Sequence, residues 1–71
     1  MEMNPKTITL NGGPYEIERV MTLGELLSAL GLEGKPVVVE LDEEAVFPRD
    51  YESRQVAGGA KVEVVTLAAG G

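Results

Sequence analysis

The sequence predicts one small α+β domain, a single sheet packed on one main helix, and three observations carry that prediction. Its 71 residues suffice for one domain only, because a chain this short hides just ~60% of its unfolded surface and must use an economical core. A single leucine stripe at helical spacing sits between Thr22 and Gly31. On both sides of it lie short alternating or β-branched runs, separated by glycine, proline and acidic turns. No linker, repeat or low-complexity block interrupts this order.

Residues 6–10 alternate polar and apolar, which puts Ile8 and Leu10 on one face, and Asn11-Gly12-Gly13 then supplies a turn that tolerates positive φ. A hairpin follows. Tyr15 and Ile17 carry the return strand, with Glu16 and Glu18 on its wet side. The helix has the fullest set of signals: Thr22 and Glu25 fit a capping box, and Met21 with Leu26 fits a hydrophobic staple over it. Leu23, Leu26, Leu27 and Leu30 recur at i, i+3, i+4 and i+7. Such a stripe reads as core facing the sheet, the other reading being a helix that fills a partner's groove. Gly31 ends the helix, and Leu32 is the apolar residue that accompanies such a cap.

After Gly34 and Pro36, Val37-Val38-Val39 suits a strand, and Asp42-Glu43-Glu44 interrupts it before Ala45-Val46-Phe47. This is a second, short hairpin. Pro48 cannot donate to a ladder, so it limits the strand at Phe47 or marks an edge, and residues 49–55 read as an irregular exposed crossing. Ala57-Gly58-Gly59-Ala60 makes the last turn. In the final strand, residues 61–67, Val62 and Val64 take one face while Glu63, Val65 and Leu67 take the other.

Composition excludes several function classes. Without cysteine there is no disulfide or thiolate metal site, and without histidine the usual general base and zinc ligand are missing. Ser28 and Ser53 therefore have no histidine to activate them, which argues against a hydrolase. The net charge of −6, from twelve acidic and six basic residues, repels nucleic acid and anionic membranes and favours a protein partner with a basic face. Residues 1–6 hold no apolar run of the signal-sequence kind, and nothing approaches the ~20 apolar residues of a membrane span. The expected compartment is the cytoplasm. Asp42, Glu43 and Glu44 lack the spacing and central glycine of a calcium loop and read as a solvated turn. Lys6, Lys35 and Lys61 follow no phosphate-binding glycine motif, and Arg49 and Arg54 read either as solvating groups or as contacts to an acidic partner.

The chain ends in Gly70-Gly71. A terminal carboxylate on a residue without a side chain is unhindered, and glycine can thread a narrow channel in backbone conformations closed to other residues. Activation of such a carboxylate cannot racemise it. It is a candidate reactive handle, the plainer alternative being an ordinary glycine-rich chain end. Ala68 and Ala69 supply a small-residue stem, and Val65 and Leu67, if outward facing, supply apolar docking contacts beside it.

In the order strand, strand, leucine helix, strand, short strand, final strand and diglycine, the chain resembles the ubiquitin-like sulfur carriers. Thr22-Leu23-Gly24-Glu25-Leu26-Leu27, Val46-Phe47-Pro48-Arg49 and Val62-Glu63-Val64-Val65 before Gly70-Gly71 carry the resemblance most specifically. It is nearest to the thiamin-biosynthesis carriers that feed thiazole formation, with the molybdopterin synthase small subunit as a close relative. The resemblance implies a β-grasp fold: a mixed sheet of four to five strands on one helix, with the first and last strands parallel at its centre. The globular domain would then span residues 1–67 and a flexible tail residues 68–71.

A mechanism is implied as well. A ubiquitin-activating-type enzyme, using ATP and magnesium, would adenylate the Gly71 carboxylate, and a persulfide donor would displace AMP to leave a thiocarboxylate that a thiazole synthase consumes. The chain would be a carrier and a substrate of partner enzymes, not an enzyme, with no stably bound cofactor. Service as the molybdopterin synthase small subunit, ligation to other proteins as a ubiquitin-like modifier, and a non-covalent β-grasp adaptor whose tail is incidental are the other readings. Two turns depart from the family's habit: Asp42-Glu43 stands where relatives often show Asn-Gly, and Gly58-Gly59-Ala60 where they often show Asp-Gly-Asp. These bear on hairpin geometry more than on the tail.

Overall fold

A computed structural model describes residues 6–67. Five strands form one mixed sheet in the order β2-β1-β7-β4-β5: β1 is Thr7–Leu10, β2 Gly13–Glu16, β4 Val37–Leu41, β5 Glu44–Val46 and β7 Lys61–Thr66. Helix α1, Leu23–Ala29, packs on one face. β1 and β7 run parallel while the other pairs are antiparallel, so the last strand lies at the centre of the sheet. That is the expected β-grasp topology. Two short strands, β3 at Met21–Thr22 and β6 at Gln55–Val56, make a separate antiparallel pair.

Both hairpins close with two-residue turns. Asn11 and Gly12 adopt φ of 49° and 84°, with Leu10 opposite Gly13, so Gly13 belongs to the strand and not to the turn. Asp42 and Glu43 adopt φ of 51° and 69°, with Leu41 opposite Glu44. Glu44 is therefore the first residue of β5, a correction to the three-residue interruption expected. Positive φ at both central positions is the turn that matches the right-handed twist of paired strands. Here two acidic residues adopt it without glycine.

The first strand begins at Thr7, and β2 stops at Glu16 although Ile17 is buried and its N–H still donates to the Lys6 carbonyl at 2.8 Å. α1 starts as its sequence dictates. The Thr22 hydroxyl accepts from the Glu25 N–H at 3.0 Å and the Glu25 carboxylate accepts from the Thr22 N–H at 3.0 Å, a complete capping box. At the other end Leu30 is the C-cap, and like the rest of the stripe it packs against the core. Gly31, at φ 77°, donates to Ser28, and Leu32 donates to Leu27 at 2.8 Å, which satisfies two otherwise orphaned carbonyls.

Ile8, Leu23, Leu26, Val39, Val56 and Val62 are fully buried between sheet and helix. Residues 49–55 are more ordered than expected. A 3-10 helix at Pro48–Asp50 leads to β6, and the Leu23 and Gly24 N–H groups donate to the Arg54 and Tyr51 carbonyls, tying this crossing to the start of α1. No helix among the described residues is long and apolar enough to cross a membrane.

Candidate functional site

Because strand side chains alternate between faces, burying Val62 and Val64 under α1 forces Glu63 and Val65 onto the other side of β7. Val65 is 59% exposed and Leu67, one residue past the strand, is 50% exposed. Both expected docking residues thus stand on the outer face at the root of the tail. Leu67 is fixed there by its N–H, which donates to the Pro36 carbonyl at 2.9 Å. Ala68, Ala69, Gly70 and Gly71 lie outside the described residues, as does the proposed tail segment as a whole.

Two further apolar residues join this face. Val38, 48% exposed, is directly opposite Val65 in the β4–β7 register. Phe47, 54% exposed, follows Val46 with extended backbone (φ −94°, ψ 157°), so alternation puts it on the side of Ala45, away from buried Val46. Since Val39 faces Val46, Phe47 lies in line with Val38. Phe47, Val38 and Val65 accordingly cross three adjacent strands as one row, with Leu67 two residues further along β7. Sequence reading missed Val38 and Phe47. The signal was present: Val38 shares its face with Glu40, a charged residue that belongs in water, while Val39 and Leu41 alternate inward.

Charges frame the row. Glu40 and Glu63 are directly opposed and exposed on the outer face. Lys61, on the same side of β7, meets Glu43 at 3.1 Å, and its pKa is raised above the ordinary 10.5 by the Glu43 hydrogen bond and charge and, further off, by Glu63 and Glu40. The ammonium is therefore charged throughout the neutral range, and this ion pair is lost only as pH climbs above the ordinary lysine value. Arg54 pairs with Glu44 at 3.1 Å, whereas the Arg49 guanidinium stacks 5.3 Å from the Phe47 ring centre.

The acidic turn has a structural role. Asp42 Oδ1 accepts from the Lys61 N–H at 2.9 Å and Glu43 takes the Lys61 ammonium, so these carboxylates bind β7. Ser28 donates to Glu33, and Ser53 to the Asp50 carbonyl.

A mixed sheet on one helix, with the first and last strands parallel and β7 at its centre, defines a β-grasp protein. The chain belongs to the ThiS family, whose model matches residues 8–71. It is 42% identical over 64 residues to the sulfur carrier protein ThiS of Thermus thermophilus, an alignment that spans 90% of this chain and 98% of that relative. The crystal structure of a thiamine biosynthesis protein (ThiS) from Geobacter metallireducens superposes with a TM-score of 0.79 at 31% identity, covering 92% of this chain and 99% of that one. The solution structure of a thiamine biosynthesis protein from the same organism gives 0.76 at 32% identity, covering 97% and 88%.

Proposed function

We propose that this chain is a sulfur carrier for thiazole formation in thiamin biosynthesis, a protein acted upon and not itself an enzyme. The observation that carries the reading is the apolar row of Phe47, Val38, Val65 and Leu67 beside the exit of β7, in a member of the ThiS family whose sequence ends Gly70-Gly71. The row offers an activating enzyme a firm grip on the domain, and the small residues Ala68 to Gly71 pass into its active site.

In this reading the Gly71 carboxylate attacks the α-phosphorus of magnesium-bound ATP on a ubiquitin-activating-type partner, forming an acyl-adenylate and releasing pyrophosphate. A persulfide then adds to the acyl carbon and expels AMP. A thiol cleaves the resulting S–S bond, leaving sulfur on the acyl carbon as a thiocarboxylate and the donor as a disulfide. The thiazole synthase takes that sulfur. The chain's own contribution is binding and positioning, since ATP and magnesium belong to the partner and no cofactor stays on the carrier. Use of cytosolic ATP argues for a cytoplasmic site of action.

Intact-mass analysis after incubation with the organism's activating enzyme, ATP and a persulfide donor tests this. A gain equal to replacing one oxygen by sulfur, located at Gly71, supports the carrier. Unchanged mass, or adducts through Gly71 to lysines of other proteins, counts against it, the latter in favour of a modifier.

A further inference from the structure

Arg49 stacks on Phe47 at the β5 end of the exposed row and, among the described residues, meets no carboxylate. Among the described residues, Arg19, Arg54 and Lys61 each meet a carboxylate, at 3.6, 3.1 and 3.1 Å. Arg49, like Lys6 and Lys35, makes no such pair; unlike them it rests on Phe47, and it is exposed on the short 3-10 helix at Pro48–Asp50. Stacking on an aromatic face leaves the edge of the guanidinium fork free to take a carboxylate through two parallel hydrogen bonds. It also restricts the side chain beforehand, which lowers the ordering cost of binding. Exposed phenylalanine beside arginine is the composition enriched at interface centres.

The surrounding charge is of opposite sign. Glu40 and Glu63 stand face to face on neighbouring strands, an arrangement that disfavours the sheet. Two acids near the middle of the outer face and one arginine at its β5 end form a pattern that a partner can match in one orientation only. Complementary charges of this kind set register and partner choice more than raw affinity.

Resting on the carrier reading, we infer that Arg49, positioned by Phe47, is a specificity-determining contact that takes a carboxylate on the enzyme activating the chain's C-terminus. That enzyme is chosen because every reading of the diglycine as a reactive handle requires it. Its docking surface should carry an apolar groove for Phe47, Val38, Val65 and Leu67, basic groups opposite Glu40 and Glu63, and an acid at the end that receives Arg49. The Phe47 backbone on which the arginine is held lies two strands from Val65, roughly 10 Å at the usual strand spacing. From there the arginine controls the angle of docking and touches no reacting atom.

The test is ATP–pyrophosphate exchange by the organism's activating enzyme with wild-type carrier, Arg49→Glu, Arg49→Lys and Arg19→Glu. Arg19→Glu makes the same change of charge away from the row. We expect Arg49→Glu to raise KM for the carrier about tenfold or more with kcat within about twofold, the size of a lost interface anchor. Arg49→Lys should fall between the two, because it keeps the charge and loses the planar fork. Arg19→Glu should leave both constants unchanged. Equal KM for wild type and Arg49→Glu, or equal increases in Arg49→Glu and Arg19→Glu, overturns the inference while leaving the carrier reading intact. Failure of the wild type to support exchange overturns both. Unchanged thermal melting of the variants excludes a folding effect, as expected at an exposed site.

Discussion

Asn11 and Asp42 do the same work at the turns of the two hairpins. Each adopts positive φ, and each sends its side-chain oxygen to an N–H of β7: Asn11 Oδ1 to Val64 at 2.8 Å and Asp42 Oδ1 to Lys61 at 2.9 Å. The central strand that delivers the chain end is thereby clamped by side chains as well as by its ladders. Asn11→Gly keeps the backbone conformation but leaves the Val64 N–H without its partner. It should destabilise by about 1–2 kcal/mol in urea titration, the cost of an unsatisfied, partly buried donor, and Asn11→Asp should recover most of the loss. Glu43 gives the opposite expectation. Its left-handed backbone costs about 1–2 kcal/mol for a residue with a Cβ, whereas its pair with Lys61 is solvent-exposed and contributes little. Glu43→Gly should therefore raise stability by about 0.5–1 kcal/mol, and a fall in the urea midpoint would contradict this account of the turn.

At the scale of elements, the helix and the five main strands were legible because each carries a local signal. The capping box, the leucine stripe and the Gly31 cap mark α1 at both ends, and alternation marks the inner and outer residues of β7. The β3–β6 pair was not legible. It is two residues long and joins Met21 to Val56, so it has no period to detect and depends on a contact distant in sequence. The breadth of the exposed apolar row was hidden for a related reason: Val65 and Leu67 could be assigned from their own strand, but Val38 and Phe47 join them only through register between strands. Burial separates grip from core. Leu26→Ala, at a fully buried helix position, should cost about 2–5 kcal/mol, a large share of a small domain's stability. Val65→Ala should cost less than about 1 kcal/mol while weakening capture by the activating enzyme. Equal losses of stability in the two variants would refute this assignment of faces.

Across the whole molecule, structure and chemistry are assigned to different parts of the chain. The sheet, α1 and their clamps hold an apolar row in place and fix Leu67 against Pro36. The terminal diglycine was the clearest functional signal in the sequence, and the fold shows that the strand leading to it is the central one. On the proposed reading, conversion of Gly71 is a reaction done by a partner, and chain ends generally contribute little to a core. Side-by-side intact-mass spectra of the wild type and a variant lacking Gly71, each incubated with the activating enzyme, ATP and a persulfide donor, test this most directly. The account predicts an oxygen-to-sulfur mass gain in the wild type, none in the variant, and the same melting temperature for both. A sulfur-bearing product from the shortened chain, or its failure to fold, would contradict it.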